Sequence, residues 1–150
     1  MSIKSFVVRN VATVGPDSTL EEAAHMMREC HTGTVIVTRF ENGRKIPLGI
    51  VTDRDIVVSV LAKSESPGRI LSRDVMSRKL VTLKETSGVF DAIRAMEKNG
   101  VRRLPVVDDV SGELMGVISA DDLFEVLSQE LVSLSKLSDR QLRAEKELRP

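Results

Sequence analysis

Two stretches place a hydroxyl three residues ahead of a carboxylate: Thr52 with Asp55, and Ser119 with Asp122. Each follows a short apolar run, Gly49-Ile50-Val51 and Gly116-Val117-Ile118, and each opens an apolar-periodic segment. A strand that ends at such a corner and turns into a helix presents free backbone N–H groups, a positive dipole end and a hydroxyl. A carboxylate beside it can accept from both hydroxyls of a ribose, through charge-assisted bonds of ~1.5–3 kcal/mol each. The same pattern is also a helix cap, in which Thr52 and Ser119 cap while Asp55 and Asp122 favour the dipole. Seen once, the corner reads first as a cap, so its recurrence matters.

Other reactive side chains form weaker patterns. His25, Cys30 and His31 lie near one another, but no second cluster completes a four-ligand metal set, so a solvent-facing or partly packed role is expected. Cys30 and His31 are adjacent, and neighbours on a helix point about 100° apart, which is poor geometry for a nucleophile and its base. Met26, Met27 and Met96 read as core filling. Gly-rich phosphate loops of the Walker or dinucleotide type are absent from the sequence. No catalytic or metal residue is assigned.

The elements that position the corners recur 69 residues on as far as the hairpin, and 67 residues on after it. Phe6 to Val14 reads as an extended segment with a bend at Arg9-Asn10, and Pro16-Asp17-Ser18 as a turn. Ser18 and Glu21 form a capping-box pattern, and Leu20, Ala23, Ala24 and Met27 share a helix face. Val35 to Thr38 is a strand, Glu41-Asn42-Gly43-Arg44 a hairpin turn, Leu48 to Thr52 a second strand and about Asp53 to Leu61 a helix. In the second half, Arg78 answers Arg9 and Thr82 answers Thr13. Val89, Ala92, Ile93 and Met96 form the matching helix face, which stops at Asn99-Gly100. Leu104 to Val107 is the matching strand, and the hairpin through Ser111-Gly112 is two residues shorter than its counterpart. Similarity held through every element indicates duplication. Boundaries follow at residues 1–62 and 74–127, with a polar linker over 63–73 and a helical extension over 128–150 whose leucine stripe outlasts one small unit.

Composition excludes several classes. Lys plus Arg and Asp plus Glu are both 22, so no basic excess draws the chain to nucleic acid or an anionic membrane. Trp and Tyr are absent and Phe numbers 4, which disfavours base stacking on aromatic platforms. One cysteine excludes an internal disulfide and fits a reducing compartment. No apolar run approaches the ~20 residues of a membrane span. The first residues lack a signal-peptide core, and a cytoplasmic location is expected.

The order strand, helix, strand, strand, helix, closing on Gly-apolar-apolar-Thr/Ser-x-x-Asp, resembles the CBS domain, named after cystathionine β-synthase. Val101-Arg102-Arg103-Leu104-Pro105-Val106-Val107-Asp108 is close to that family's usual second strand, and Val75-Met76-Ser77 resembles the usual opening of a repeat. The likeness covers about residues 6–127. It implies an α/β fold: two tandem CBS repeats, each β-α-β-β-α, packed as one pseudo-two-fold module, here with an extended C-terminal helix. It further implies clefts for adenosine-containing ligands such as AMP, ADP, ATP, NAD or S-adenosylmethionine. Thr52 with Asp55 would serve one cleft and Ser119 with Asp122 the other. Backbone around Thr13 and Thr82 would hold the adenine edge, and Arg102 and Arg103 would meet phosphate. Arg54 is a further phosphate candidate. Because Asp121, Gly33 and Thr34 are the counterparts of these arginines, the clefts are expected to be unequal. The expected function is a regulatory sensor, a homodimer signalling to an unidentified protein partner. The alternatives are a ligand-independent dimerisation scaffold and a small nucleotide-acting enzyme.

Overall fold

A complete capping box starts the first long helix, one residue later than Ser18 and Glu21 suggest. Thr19 Oγ1 accepts from the Glu22 N–H at 3.2 Å while Glu22 Oε2 accepts from the Thr19 N–H at 2.8 Å. Ser18 is used differently, its Oγ accepting from the Gly15 N–H at 3.2 Å. Both Ser18-x-x-Glu21 and Thr19-x-x-Glu22 satisfy the box pattern, and the choice of Thr19 is tied to a backbone bridge between Thr19 and Leu71. The resulting helix buries Leu20, Ala23 and Met27 and leaves Ala24 exposed, contrary to its expected place on the buried face.

The structure is a computed structural model describing residues 1–77 and 79–149; Arg78, expected to match Arg9, and Pro150 lie outside the described residues. The first half runs β1 (Thr13–Val14), α1 (Leu20–Glu29), β2 (Thr34–Glu41), β3 (Arg44–Thr52) and α2 (Asp53–Ile56), whose axis continues as a π turn over Val57–Leu61. After the short α3 (Ser72–Val75), the second half runs β4 (Leu83–Lys84), α4 (Val89–Asn99), β5 (Arg103–Val107), β6 (Leu114–Ser119) and α5 (Ala120–Leu148). Each half forms a three-stranded sheet, in which the first strand pairs parallel with the second and the second antiparallel with the third. A parallel pair needs a crossover, and α1 and α4 supply it. Even the irregularities repeat, since the register slips between Val37 and Thr38 and again between Val106 and Val107.

Turn chemistry differs between the two hairpins. Asn42 and Gly43 both have positive φ, 51° and 77°, which is the twist a two-residue hairpin needs. The shorter loop is organised by Asp108. Its Oδ1 accepts from the Val110 N–H, the Ser111 N–H and the Ser111 hydroxyl at 3.1, 2.7 and 2.8 Å. The Ser111 bonds, with help from Val110, hold this carboxyl below the ordinary carboxylate range.

The two halves are joined by exchanged segments. Ile3 is fully buried in the second half's core, beside Leu83, Val89, Ala92 and Leu104. Its N–H donates to Ser87 O at 3.0 Å, and further along Val8 and Val117 exchange both backbone bonds at 2.9 and 3.0 Å. The linker mirrors this on the first half. Leu20 N–H donates to Ile70 O at 2.9 Å, Ser77 N–H to Ile50 O at 3.1 Å, and Ile70, Val75 and Met76 pack on the first core. Each crossing runs over the glycine that begins a closing Gly-apolar-apolar motif. A Cβ on Gly116 would meet Val7 Cγ1 and would lie 2.6 Å from Val8 O; one on Gly49 would lie 2.7 Å from Met76 Sδ.

The obstacle at Gly116 includes backbone, at Val8 O, whereas at Gly49 it is the Met76 side chain alone, its Cβ and Cγ at 2.9 Å as well as its Sδ. Gly116→Ala is therefore expected to lower unfolding stability by ~1–3 kcal/mol, the usual range for overpacking, and Gly49→Ala by less. Urea denaturation of both variants checks this, and equal losses would contradict the crossing geometry.

Candidate functional site

The two corners adopt the same geometry. Asp55 Oδ2 accepts from the Thr52 N–H and the Thr52 hydroxyl, both at 2.8 Å, and Thr52 Oγ1 accepts in turn from the Asp55 N–H at 3.2 Å. Asp122 Oδ2 accepts from the Ser119 N–H at 2.7 Å and the Ser119 hydroxyl at 2.6 Å, and Ser119 Oγ accepts from the Asp122 N–H at 3.2 Å. The capping reading of the motif is thus realised in full. It uses one carboxylate oxygen, and among the described residues Oδ1 of each aspartate has no hydrogen-bond partner. Both aspartates are half-buried rather than fully exposed.

Each corner opens into a cleft walled by the other half. The first, about 450 Å³, joins Thr52, Arg54 and Asp55 to Lys79, Leu80 and Val81 and to the start of β5 at Arg102 and Arg103. The second, about 230 Å³, joins Ser119 and Asp122 to Asn10, Val11 and Ala12 and to Cys30, Thr32 and Thr34. Small-molecule sites span ~300–1,000 Å³, so the first has the room and the second is tight. Seven of the nine residues singled out in the sequence line these clefts: Thr52, Arg54, Asp55, Arg102, Arg103, Ser119 and Asp122. Thr13 and Thr82 line neither. Thr13 Oγ1 instead accepts from Lys45 Nζ at 3.2 Å on the outer side of the first sheet, and the cleft walls use the preceding residues Ala12 and Val81. Side chains alternate across an extended segment, so a shift of one residue changes the face.

Charge is unevenly distributed. The first cleft is lined by Arg54, Lys79, Arg102 and Arg103, whereas Arg103 is the one cation among the described residues lining the second. Lys79 escaped the sequence reading; its counterpart across the repeats is the neutral Asn10, and that inequality was the available signal. Arg102 Nη2 lies 3.1 Å from Asp121 Oδ1, in a pair about three-quarters exposed at both ends. Such pairs contribute only ~0–1 kcal/mol, so Arg102 is available to a phosphate at little cost. Arg103 Nη1 donates to the buried Thr34 Oγ1 at 2.8 Å. Cys30 lines the second cleft, but its Sγ is 3.7 Å from Met26 Sδ rather than beside a base. Among the described residues no group of three or more His, Cys, Asp or Glu is placed to hold a metal ion.

Comparison with known proteins agrees with this architecture. The CBS domain family pattern matches residues 3–62 and 72–129. The CBS domain-containing protein YhcV of Bacillus subtilis is 34% identical over 122 residues, covering 81% of this chain and 82% of that protein. An uncharacterized protein of Methanopyrus kandleri is 36% identical over 126 residues, covering 84% of this chain, and the match spans 62% of that protein's length. Among solved structures, a CBS domain protein from Pyrobaculum aerophilum complexed with AMP superposes with a TM-score of 0.72 at 23% identity, covering 81% of this chain and 89% of that one.

The corner geometry sets the stability of variants. In Asp122→Ala the Ser119 N–H and hydroxyl lose their acceptor, and a loss of ~1–2 kcal/mol is expected. Asp122→Asn keeps an oxygen for both donors and should cost clearly less. Chemical denaturation of the pair checks this; equal losses would mean that the box does not hold the corner.

Proposed function

We propose, from the premise that this chain belongs to the CBS domain family, that it is a regulatory binding module whose clefts take adenosine-containing ligands such as AMP, ADP or ATP. The observation that carries this reading is the pairing, among the described residues of one cleft of about 450 Å³, of an Asp55 oxygen without a hydrogen-bond partner and four cations. The aspartate suits ribose hydroxyls, Leu80 and Val81 offer an apolar wall to a base, and Arg54, Lys79, Arg102 and Arg103 suit phosphate. NAD and S-adenosylmethionine share the adenosine part and remain in the panel. The module binds rather than transforms its ligand, and occupancy acts on a separate protein partner through differential affinity for two states.

The ligand test is thermal. A ligand at about 100 times its Kd adds ~2.7 kcal/mol, which for a chain of this size raises Tm by ~5–10 °C. AMP, ADP, ATP, NAD and S-adenosylmethionine are compared, with Asp55→Asn, which keeps the cap, expected to weaken binding by ~10-fold or more. A melting temperature unmoved by every compound would reject the reading in favour of a ligand-independent scaffold.

The scaffold alternative draws on a separate observation, which also bears on assembly. Only Leu123 and Val126 of α5 are buried, while Phe124, Leu131, Leu134 and Leu137 are exposed. We propose that this stripe contributes to a homodimer, because several leucines per chain, each worth ~1.5–3 kcal/mol when buried, exceed what ordering the helix costs. No described helix is long and apolar enough to cross a membrane. A cytoplasmic module that binds neither nucleic acid nor membrane fits the neutral balance of charge. Light scattering is expected to give a dimer for the intact chain and a weaker one for a chain ending at Gln129. A monomeric intact chain would refute the assignment.

A further inference from the structure

We propose that Arg103 couples the two clefts, so that an anionic ligand in one weakens the binding of an anionic ligand in the other. The inference rests on the adenosine-ligand reading above and specifies how its two sites interact. Thr34 and Arg103 are counterparts in the duplication, each the first residue of the middle strand of its sheet. They meet where the halves join, with Arg103 Nη1 donating to Thr34 Oγ1 at 2.8 Å. Among the described residues these two alone line both clefts.

A pair placed at this junction cannot serve both sides equally when one member is arginine. A guanidinium is planar and carries one positive charge, and its terminal Nη1/Nη2 fork holds one phosphate bidentately at a time. A fork turned into the first cleft is turned away from the second. The neutral Thr34 hydroxyl is a weaker acceptor than an anionic phosphate oxygen, so the present bond does not prevent the turn. The consequences differ between the sites. The first cleft keeps Arg54, Lys79 and Arg102 when Arg103 is drawn elsewhere. The second is left with Asp122 and no lining cation among the described residues. Linkage makes the penalty reciprocal, so each bound anion weakens the other by the same factor. An uncharged ligand makes no claim on the guanidinium and leaves the clefts independent.

NMR titration of the full-length protein, following the Asp55 and Asp122 amides, reads the two clefts separately. Independent sites give a simple hyperbola for each amide, whatever their affinities; coupled sites do not. With AMP the two curves are expected to depart from hyperbolas, with affinity for the second ligand reduced about tenfold, within the usual span of coupling. With adenosine both curves should be hyperbolic, a comparison that needs no variant. In Arg103→Met the AMP curves should become hyperbolic, with the Asp122 cleft the more weakened. If AMP saturates only one cleft of the parent, the second should fill with adenosine. Hyperbolic AMP curves in the parent, or coupling that survives in Arg103→Met or with adenosine, would overturn the proposal while leaving the ligand reading intact. Failure of both AMP and adenosine to bind would overturn both.

Discussion

The structure depends on two backbone crossings made over glycine. Residues 1–8 lie on the second half and residues 70–77 on the first, so neither core is complete without chain from the other side. Ile3 is fully buried far from its own sheet, and Met76 fills space above Gly49. Such an exchange makes the halves one cooperative unit, because separating them would expose both cores and orphan the backbone bonds at Val8, Val117, Ile50 and Ser77. It also creates the clefts. The segments that follow each crossing, Asn10 to Ala12 and Lys79 to Val81, wall the corner of the opposite repeat. The glycines of the two closing motifs are therefore steric requirements for the clefts as well as for the fold.

At the corners one side chain serves two ends. A carboxylate that accepts from the N–H and hydroxyl of the capping residue is fixed in position by bonds of 2.6–2.8 Å. Its second oxygen is thereby held in place, so a ligand of the proposed kind would require no further ordering of it. Preorganisation of this kind reduces the entropy that binding would otherwise consume. Under the proposed ligand reading, stability and recognition are coupled at this point, so removing the carboxylate would disturb both. Replacing it by the amide would separate them.

The fold was legible in the sequence because its signals were duplicated. Hydroxyl-x-x-carboxylate corners, the Asn42-Gly43 turn and the two apolar helix faces each state a local preference, and the repeat states that they belong together. Single-residue offsets were not legible. Ser18 and Thr19 both begin an acceptable capping box, and the decision came from a contact with Leu71 more than fifty residues away. Thr13 and Thr82 line neither cleft while their neighbours Ala12 and Val81 do, because one step along an extended segment reverses the face. The crossings were invisible for the same reason, since Ile3 and Ile70 carry no local mark of the core they join. Arg103 was read as a phosphate residue for one cleft, and only its position at the junction shows that it lines both.

What the halves share and what they do not divide along a physical line. The glycine under each crossing, the capping hydroxyl, its carboxylate and the strand irregularity are common to both, and each is needed to build the repeat. The differences gather on the cleft rims: Asn10 against Lys79, Thr34 against Arg103, Arg54 against Asp121. None of these cations is required by a cap or a core. Arg102 rests on an exposed pair with Asp121 that contributes little, and Arg103 reaches a neutral hydroxyl. A corner that served only to start a helix would give no reason to collect, among the described residues, four cations around one cleft and one in the other. The caps explain why the repeats fold alike; the charges around them, together with the difference in volume, make the two clefts chemically different.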